Sequence, residues 1–594
     1  MSRRVLSIIP TLVLCAILAL GQRQGQLLKA AGSPVDPKVP IAWNRYYDAK
    51  ALEALSYKIA KAHPHLAEAH TIGKSQQGRN IWCLTITDFT KGDSSRKPAI
   101  YLQGNIHGNE IQGAEVALYT AWYLTETFQD NGYIQELLAD KAFYIVPTLN
   151  PDARDYFFHH AVTQHNPRGY PRSSDRAARD LDGNGSISRM RVRNPHGIYR
   201  IDPTNPDKMV RLGEKEIENV NGVDSAKRPD SRNYDVLPEG GVDPFDGTGA
   251  DNGRPFTDHD DPNRNWSYGW TPEESRIAER SGFSFTFVET RVARDFFYKH
   301  PNIAAAESFH NSGGSIGPAE LARQPTDPID AEMEKDIALY DQLGAHVHKV
   351  LPEYRYDNSA IRVVRVIGKR EVDWMFGKHG AYSFVVELMP HTADNYDFNK
   401  DLLFGDAFVP WRSVNDPTRG TVEVGGFKKN FPRLTPGFLL EEEAHRNMAF
   451  AVYVCRETPT LRIDYVRSKE IGNGLREIYA VVTNTSLMPT HSSSNARYAI
   501  TRADYVTLES SVIMSIERME APQGPNGVTI TTEEHNPRRY EINNIPGHST
   551  VTLRWIVSGS NGPFTITVDS VKGGVASAST KGTIDLEKAG HYER

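Results

Sequence analysis

From about residue 41 to 455, short apolar runs alternate with stretches of helical character, and no other feature limits the fold as much. The runs are Ile81–Ile86, Ala99–Leu102, Phe143–Val146, Ile303–Phe309 and Tyr382–Leu388, with helix-like stretches such as Ala114–Phe128 and Met333–Leu351 between them. Strands alternating with helices predict an α/β domain with a mixed, mostly parallel sheet flanked by helices. Residues 160–260 interrupt the pattern and are rich in Arg, Asp, Asn, Gly and Pro, so they read as an insertion of long loops. After about residue 456 the texture changes to short β-branched runs separated by turn residues. That predicts a separate all-β sandwich over 456–594.

Composition removes several function classes. A hydrophobic share of 39% with 24% charged residues is ordinary for a globular chain, which excludes wholesale disorder. The net charge of -6 leaves no basic excess to neutralise a nucleic-acid backbone, so no nucleic-acid partner is expected. Three cysteines in 594 residues exclude a disulfide-stapled scaffold.

The first residues read as an export signal. Arg3 and Arg4 precede the apolar run Val5–Leu20, and Ala19-Leu20-Gly21 offers a cleavage site, giving a signal peptide over 1–21. The alternative is an uncleaved anchor. The run is short for a span of about 20 residues, and Pro10 interrupts it. A lipoprotein through Cys15 is the weaker alternative, because no small residue precedes the cysteine. Residues 22–40 form a proline-containing leader. The expected product is secreted or periplasmic, without stable membrane insertion after cleavage.

The polar residues at strand ends carry the chemistry. His107 and Glu110 follow the Ala99–Leu102 run, His310 ends Ile303–Phe309, and Glu387 is the one charge in Tyr382–Leu388. In open α/β sheets, sites form at the carboxyl ends of strands. Two imidazoles and a carboxylate with an open fourth position suit a catalytic Zn²⁺, and Glu387 beside it suits a general base. In Asp261-Pro262-Asn263-Arg264-Asn265-Trp266, Arg264 offers a fork for a carboxylate, and Asp261 could hold the second nitrogen of a zinc-bound histidine. Each motif alone is weak: HxxE is usually a surface histidine and a helix-start glutamate, and the 261–266 segment a polar turn.

Taken together, HGNE, NPD, DPNRNW, SFHNSGG, DW and SFVVEL appear in one order over roughly residues 45–450. The set resembles the zinc metallocarboxypeptidase family of carboxypeptidase A type. That resemblance implies a carboxypeptidase-like fold and one zinc held by His107, Glu110 and His310. It implies Glu387 as the base that activates water, and Asn263 with Arg264 as the pair holding a peptide's C-terminal carboxylate. It also implies that Arg191 polarises the scissile carbonyl, with Arg189 and Arg193 competing for that place. Glu387 follows His310 by 77 residues, near the family's usual gap, whereas His310 follows Glu110 by 200, well beyond it. Asn109 gives the HGNE form of the family's regulatory branch, whose members also carry a C-terminal β domain. The family's mobile-loop tyrosine has no counterpart near Arg365.

Asp180, Asp182, Asn184 and Ser186 have the alternate oxygens of a calcium loop, but its twelfth position is Arg191 where an EF-hand needs Glu. Calcium and a plain turn stand even. Val372 and Val385 favour apolar C-terminal residues, and Arg370 and Glu371 beside them count against that. Two other functions stay open: the same site acting on cell-wall γ-glutamyl peptides or another amide, and an idle enzyme working as a binding or adhesion module.

Overall fold

Side chains alternate across the Ala99–Gly104 strand: Ile100 and Leu102 enter one apolar cluster, Ala99 and Tyr101 another. A strand buried on both faces must lie inside a sheet covered on both sides. The computed structural model describes residues 31–159, 179–185, 187–220, 223–240, 261–268, 283–319, 330–358, 370–390, 394–429, 431, 433–510, 512–520, 529–532, 535–559 and 564–579. The signal peptide, residues 22–30 of the leader, parts of the 160–260 stretch, Ser186, the Arg365 position and the last residues lie outside them.

An eight-stranded mixed sheet forms the centre. Its order is Ala67–Lys74, Asn80–Ile86, Ala142–Val146, Ala99–Gly104, Ile303–Asn311, Tyr382–Leu388, Ser315–Pro318 and Arg355–Tyr356. The four central strands run parallel, and the outer pairs 67–74/80–86, 80–86/142–146 and 315–318/382–388 are antiparallel. One face is covered by helices that include Ala49–Ala62, Gln112–Thr127, Ala331–Gly344 and Gly437–Arg456, and the other by Val288–Lys299 and Glu371–His379. Trp374 is fully buried against Trp266, with ring centroids 5.3 Å apart, so it is core. Cys83 and Cys455 are buried free thiols.

The Gln112–Thr127 helix sits close under the strand ends. A Cβ on Gly113 would lie 2.6 Å from Phe309 Cβ, and one on Gly104 would meet the Gly113 backbone. This approach brings the 105–111 turn against the end of the His310 strand.

Within the 160–260 stretch, read above as long loops, the described residues between 189 and 238 include strands. Arg189–Arg193, Tyr199–Asp202, Asn205–Arg211 and Asn233–Pro238 join the Phe408–Asp416/Gly420–Phe427 hairpin in a six-stranded sheet. Met190, Leu237, Val422 and Val424 form its small core. The alternation in Arg189-Met190-Arg191-Val192-Arg193 hides in composition, because arginines fill the face turned away from that small core.

Residues 461–579 form a five-stranded and a four-stranded antiparallel sheet around one apolar cluster, with Ile478, Leu553 and Trp555 from the first and Val506, Ile566 and Val568 from the second. Buried lysines tie this part, and the 458–460 link before it, to the larger one. Lys141 Nζ donates to Thr458 O at 2.7 Å and Pro459 O at 2.9 Å, and Lys572 Nζ donates to Pro301 O at 3.2 Å and to Ile303 O. Burial pushes these amines down, to about 8 for Lys141 and about 7 for Lys572.

Glu307, on the Ile303–Asn311 strand, is fully buried, and neither carboxylate oxygen has a hydrogen-bond partner among the described residues. Burial holds its carboxyl well above the usual carboxylate range. The folded state therefore keeps a proton that the unfolded chain releases above about 4.5, so stability falls as pH rises through and beyond that value. Glu307→Met is expected to raise stability at pH 8 by about 1–3 kcal/mol and to flatten this pH dependence. Denaturant unfolding at pH 5 and pH 8 checks it, and a variant less stable at both would show that Glu307 has a favourable partner.

Candidate metal centre

The turn after the Ala99–Gly104 strand is built to hold two side chains inward. Asn105 takes a positive φ of 59°, and its Nδ2 donates to His107 O at 2.5 Å. Asn150, from the NPD segment, donates to Ile106 O at 3.3 Å. Arg154, fully buried, donates to Asn105 Oδ1 at 3.2 Å and Ile111 O at 2.6 Å, and pairs with buried Glu115 at 2.5 Å. The NPD segment thus serves as scaffolding: Asp152 ties down Arg79 and Ser75.

His107, Glu110 and His310 meet. His107 Nδ1 lies 2.8 Å from Glu110 Oε2, His310 Nδ1 lies 2.9 Å from the same oxygen, and the two Nδ1 atoms are 3.2 Å apart. Tetrahedral zinc with bonds of about 2.0–2.1 Å sets neighbouring ligand atoms about 3.3 Å apart. The three donors are already near that spacing, and all three residues are buried, so the site fits zinc.

Charge in the cluster is tightly coupled. Burial pulls the His107 imidazole down, but Glu110 and Asp261 outweigh it and push it up to about 9. The same contest, with Glu110 and Glu371 prevailing over burial, holds His310 well above its ordinary value. Loading a cation therefore displaces protons.

Glu387 stands opposite His310 in the parallel register between their strands. Burial raises its carboxyl and Glu110 adds to that, while His310, His107 and Arg433 pull it back. Asp261 Oδ1 lies 3.0 Å from His107 Nε2. Asn263 is buried beside the cluster, where its Oδ1 accepts from Glu371 N at 2.9 Å and its Nδ2 lies 3.4 Å from His310 Nε2. Arg264 is half-buried, and its Nη1 donates to Asn263 O at 2.9 Å.

Arg191 has its partners in the six-stranded sheet. Its Nε and Nη2 donate to Glu423 at 3.0 and 3.1 Å, its Nη1 donates to Pro206 O at 3.1 Å, and its guanidinium lies 4.5 Å from the Trp411 ring. It is committed to the six-stranded sheet, which holds none of the clustered residues. An arginine that does reach the cluster is Arg433, whose Nη1 is 3.8 Å from Glu110 Oε1 and whose side chain is 37% exposed. No local motif marks it. Glu371, 2.9 Å from His310 Nε2, is the other residue that sequence reasoning gave no such place.

At the 180–186 turn, Asp180 and Asp182 meet buried Glu239, carboxylates that could share a cation. Asn184 N donates to both aspartates at 3.1 Å. Arg412 Nε also donates to Asp182 Oδ2 at 3.0 Å, so a guanidinium already supplies positive charge there.

Two buried histidines and a glutamate around one point, with a further carboxylate alongside, form a site whose donors suit zinc. Residues 52–189 match the family model described as zinc carboxypeptidase, and residues 460–581 match a domain of unknown function. The likeness to the zinc carboxypeptidase family rests on the first of these segments, residues 52–189 of the 594. The chain is 31% identical to carboxypeptidase M of Mus musculus over 108 residues, 18% of this chain and 24% of that protein. It is 33% identical to the catalytic chain of carboxypeptidase N of Rattus norvegicus over 115 residues, 19% of this chain and 24% of that protein. The match thus spans about a quarter of each relative's length. Carboxypeptidase A from Helicoverpa armigera aligns over 72% of this chain and 76% of its own at 14% identity and a TM-score of 0.42, a likeness too low to carry an argument. His107 and Glu110 lie inside the matched segment, whereas His310 and Glu387 lie beyond it. Among the described residues no helix is long and apolar enough to cross a membrane.

Proposed function

We propose that this chain is an exported zinc carboxypeptidase that removes C-terminal residues from peptides. The convergence of His107, Glu110 and His310 beside Glu387 supports this reading most. Zinc, when bound there, would polarise the scissile carbonyl and make water a stronger acid. Glu387 takes the proton from the attacking water and returns it to the leaving amine. Asn263 and Arg264 hold the substrate's terminal carboxylate, which restricts cleavage to the chain end. Asn109 between the first two ligands suits the family's regulatory branch. Residues 41–455 would be the catalytic domain and 456–594 a β-sandwich docked on it. Calcium at the 180–186 turn competes with Arg412 for Asp182.

Arg433 faces the carbonyl oxygen as negative charge develops on it. Arg433→Ala is expected to lower kcat by about 10²–10³-fold. Arg191→Ala, by contrast, should act on stability and leave kcat within about threefold. Steady-state kinetics on both variants decide between the two arginines.

Mass spectrometry of a mixed peptide set tests the whole reading, with Glu387→Gln and a chelated sample as controls. Stepwise C-terminal loss absent from both controls supports it. Internal cuts would remove Arg264 as carboxylate anchor. Cleavage of γ-glutamyl peptides alone would favour the cell-wall substrate, and zinc binding without any cleavage would favour a binding module.

A further inference from the structure

An imidazole has two nitrogens, and only one can face a metal. In this cluster both Nδ1 atoms point to Glu110 Oε2, so both Nε2 atoms point away. Behind His107 stands Asp261, at 3.0 Å. Behind His310 stands Glu371 Oε1, at 2.9 Å. Thus each histidine is backed by its own buried carboxylate.

Glu371 is fully buried on the first turn of the Glu371–His379 helix, where the helix dipole favours negative charge. Both of its oxygens have partners. Ser308 Oγ donates to Oε1, and Gln103 Nε2 donates to Oε2. Gln103 is held in turn by Tyr101 OH, which donates to its Oε1 at 2.8 Å. The Glu371 backbone N–H is fixed by Asn263 Oδ1 at 2.9 Å. A carboxylate anchored at the backbone and at both oxygens can hold a ring in one orientation.

We propose that Glu371 is a positioning residue for His310. It accepts the Nε2 proton, which leaves the Nδ1 lone pair free and aimed at the point shared with His107 and Glu110. A carboxylate acceptor also makes the ring a stronger donor, and partners of this kind tighten metal binding by about 10–100-fold. The inference rests on the zinc reading of the cluster but does not require peptidase activity. It opposes a role for Glu371 in choosing the substrate's side chain, which its place next to Val372 would otherwise suggest.

The test is zinc affinity of the full-length protein, measured by competition with a chromogenic chelator, for wild type, Glu371→Gln and Glu371→Leu. Thermal unfolding of each zinc-free protein identifies any variant that fails to fold. Glu371→Gln keeps the shape and a neutral acceptor, so it is expected to bind zinc about 10–100-fold more weakly, and Glu371→Leu more weakly still. With zinc saturating, KM for a cleaved peptide should not move. The visible absorption bands of the cobalt-substituted protein should shift in Glu371→Gln, which a purely structural role would not cause. Zinc affinity within about threefold of wild type in both variants, with an altered C-terminal residue preference, overturns the proposal. Wild-type protein that takes up no zinc overturns it together with the metal-site reading. Zinc binding without peptide cleavage defeats only the proposed function, and the affinity comparison still decides the role of Glu371.

Discussion

Glu387→Gln is expected to lower kcat for peptide hydrolysis by about 10²–10⁴-fold, with KM and bound zinc close to wild type. The residue lies beside His310 in the register of two central strands, and its carboxyl is buried. Burial and the neighbouring Glu110 raise its pKa, while His310, His107 and Arg433 oppose that rise. A raised pKa makes the carboxylate a stronger base towards the attacking water, and glutamine can neither take that proton nor pass it to the leaving amine. Because glutamine keeps the side chain's volume and one oxygen, the strand register should survive. Steady-state kinetics and metal content measured on one preparation separate the effects. A variant that retains activity within a few-fold would remove Glu387 from proton transfer, whereas loss of zinc would show that it supports the metal.

His107→Ala is expected to act twice. Taking roughly 3–4 kcal/mol per ligand from the total affinity of structural zinc sites, zinc binding should weaken by about 10²–10³-fold, and activity at limiting zinc should disappear. The zinc-free protein should also lose stability. There the imidazole is pushed up to about 9 from an ordinary 6.5, because Glu110 and Asp261 outweigh the burial that pulls it down. A group with a raised folded pKa stabilises fully below the unfolded value and loses that contribution as pH rises through the folded one. The substitution should therefore cost about 3 kcal/mol near pH 6 and much less near pH 10. Denaturant unfolding of the metal-free variant and wild type at both pH values measures the difference. An equal loss at both would place the effect in packing and not in the charge pairs.

Much of the metal cluster was legible in the chain because its members sit at strand ends. A lone charge such as Glu387 in the run Tyr382–Leu388, or His310 closing Ile303–Phe309, stands out against apolar neighbours. The structure brings His107, Glu110 and His310 within reach of one ion and sets Asp261 behind His107. Arg191 has partners that no local pattern announces. Arginine pairs with any carboxylate in reach, and half-buried Glu423, far along the sequence but on the adjacent strand, holds it. Arg433 was illegible because its backbone is placed by distant residues: Asn311 Nδ2 donates to Arg433 O at 3.2 Å.

By itself the sequence determined the alternating strands and helices, the change to β texture after residue 456, and the polar groups at the strand ends. These depend on periodicity and on residues near one another in the chain. Only the tertiary structure decided that residues 189–238 build a sheet with 408–427, that Arg191 serves that sheet, and that Glu371 backs His310. Each is a pairing between segments tens to hundreds of residues apart, settled by which strands become neighbours, and no local pattern encodes that choice.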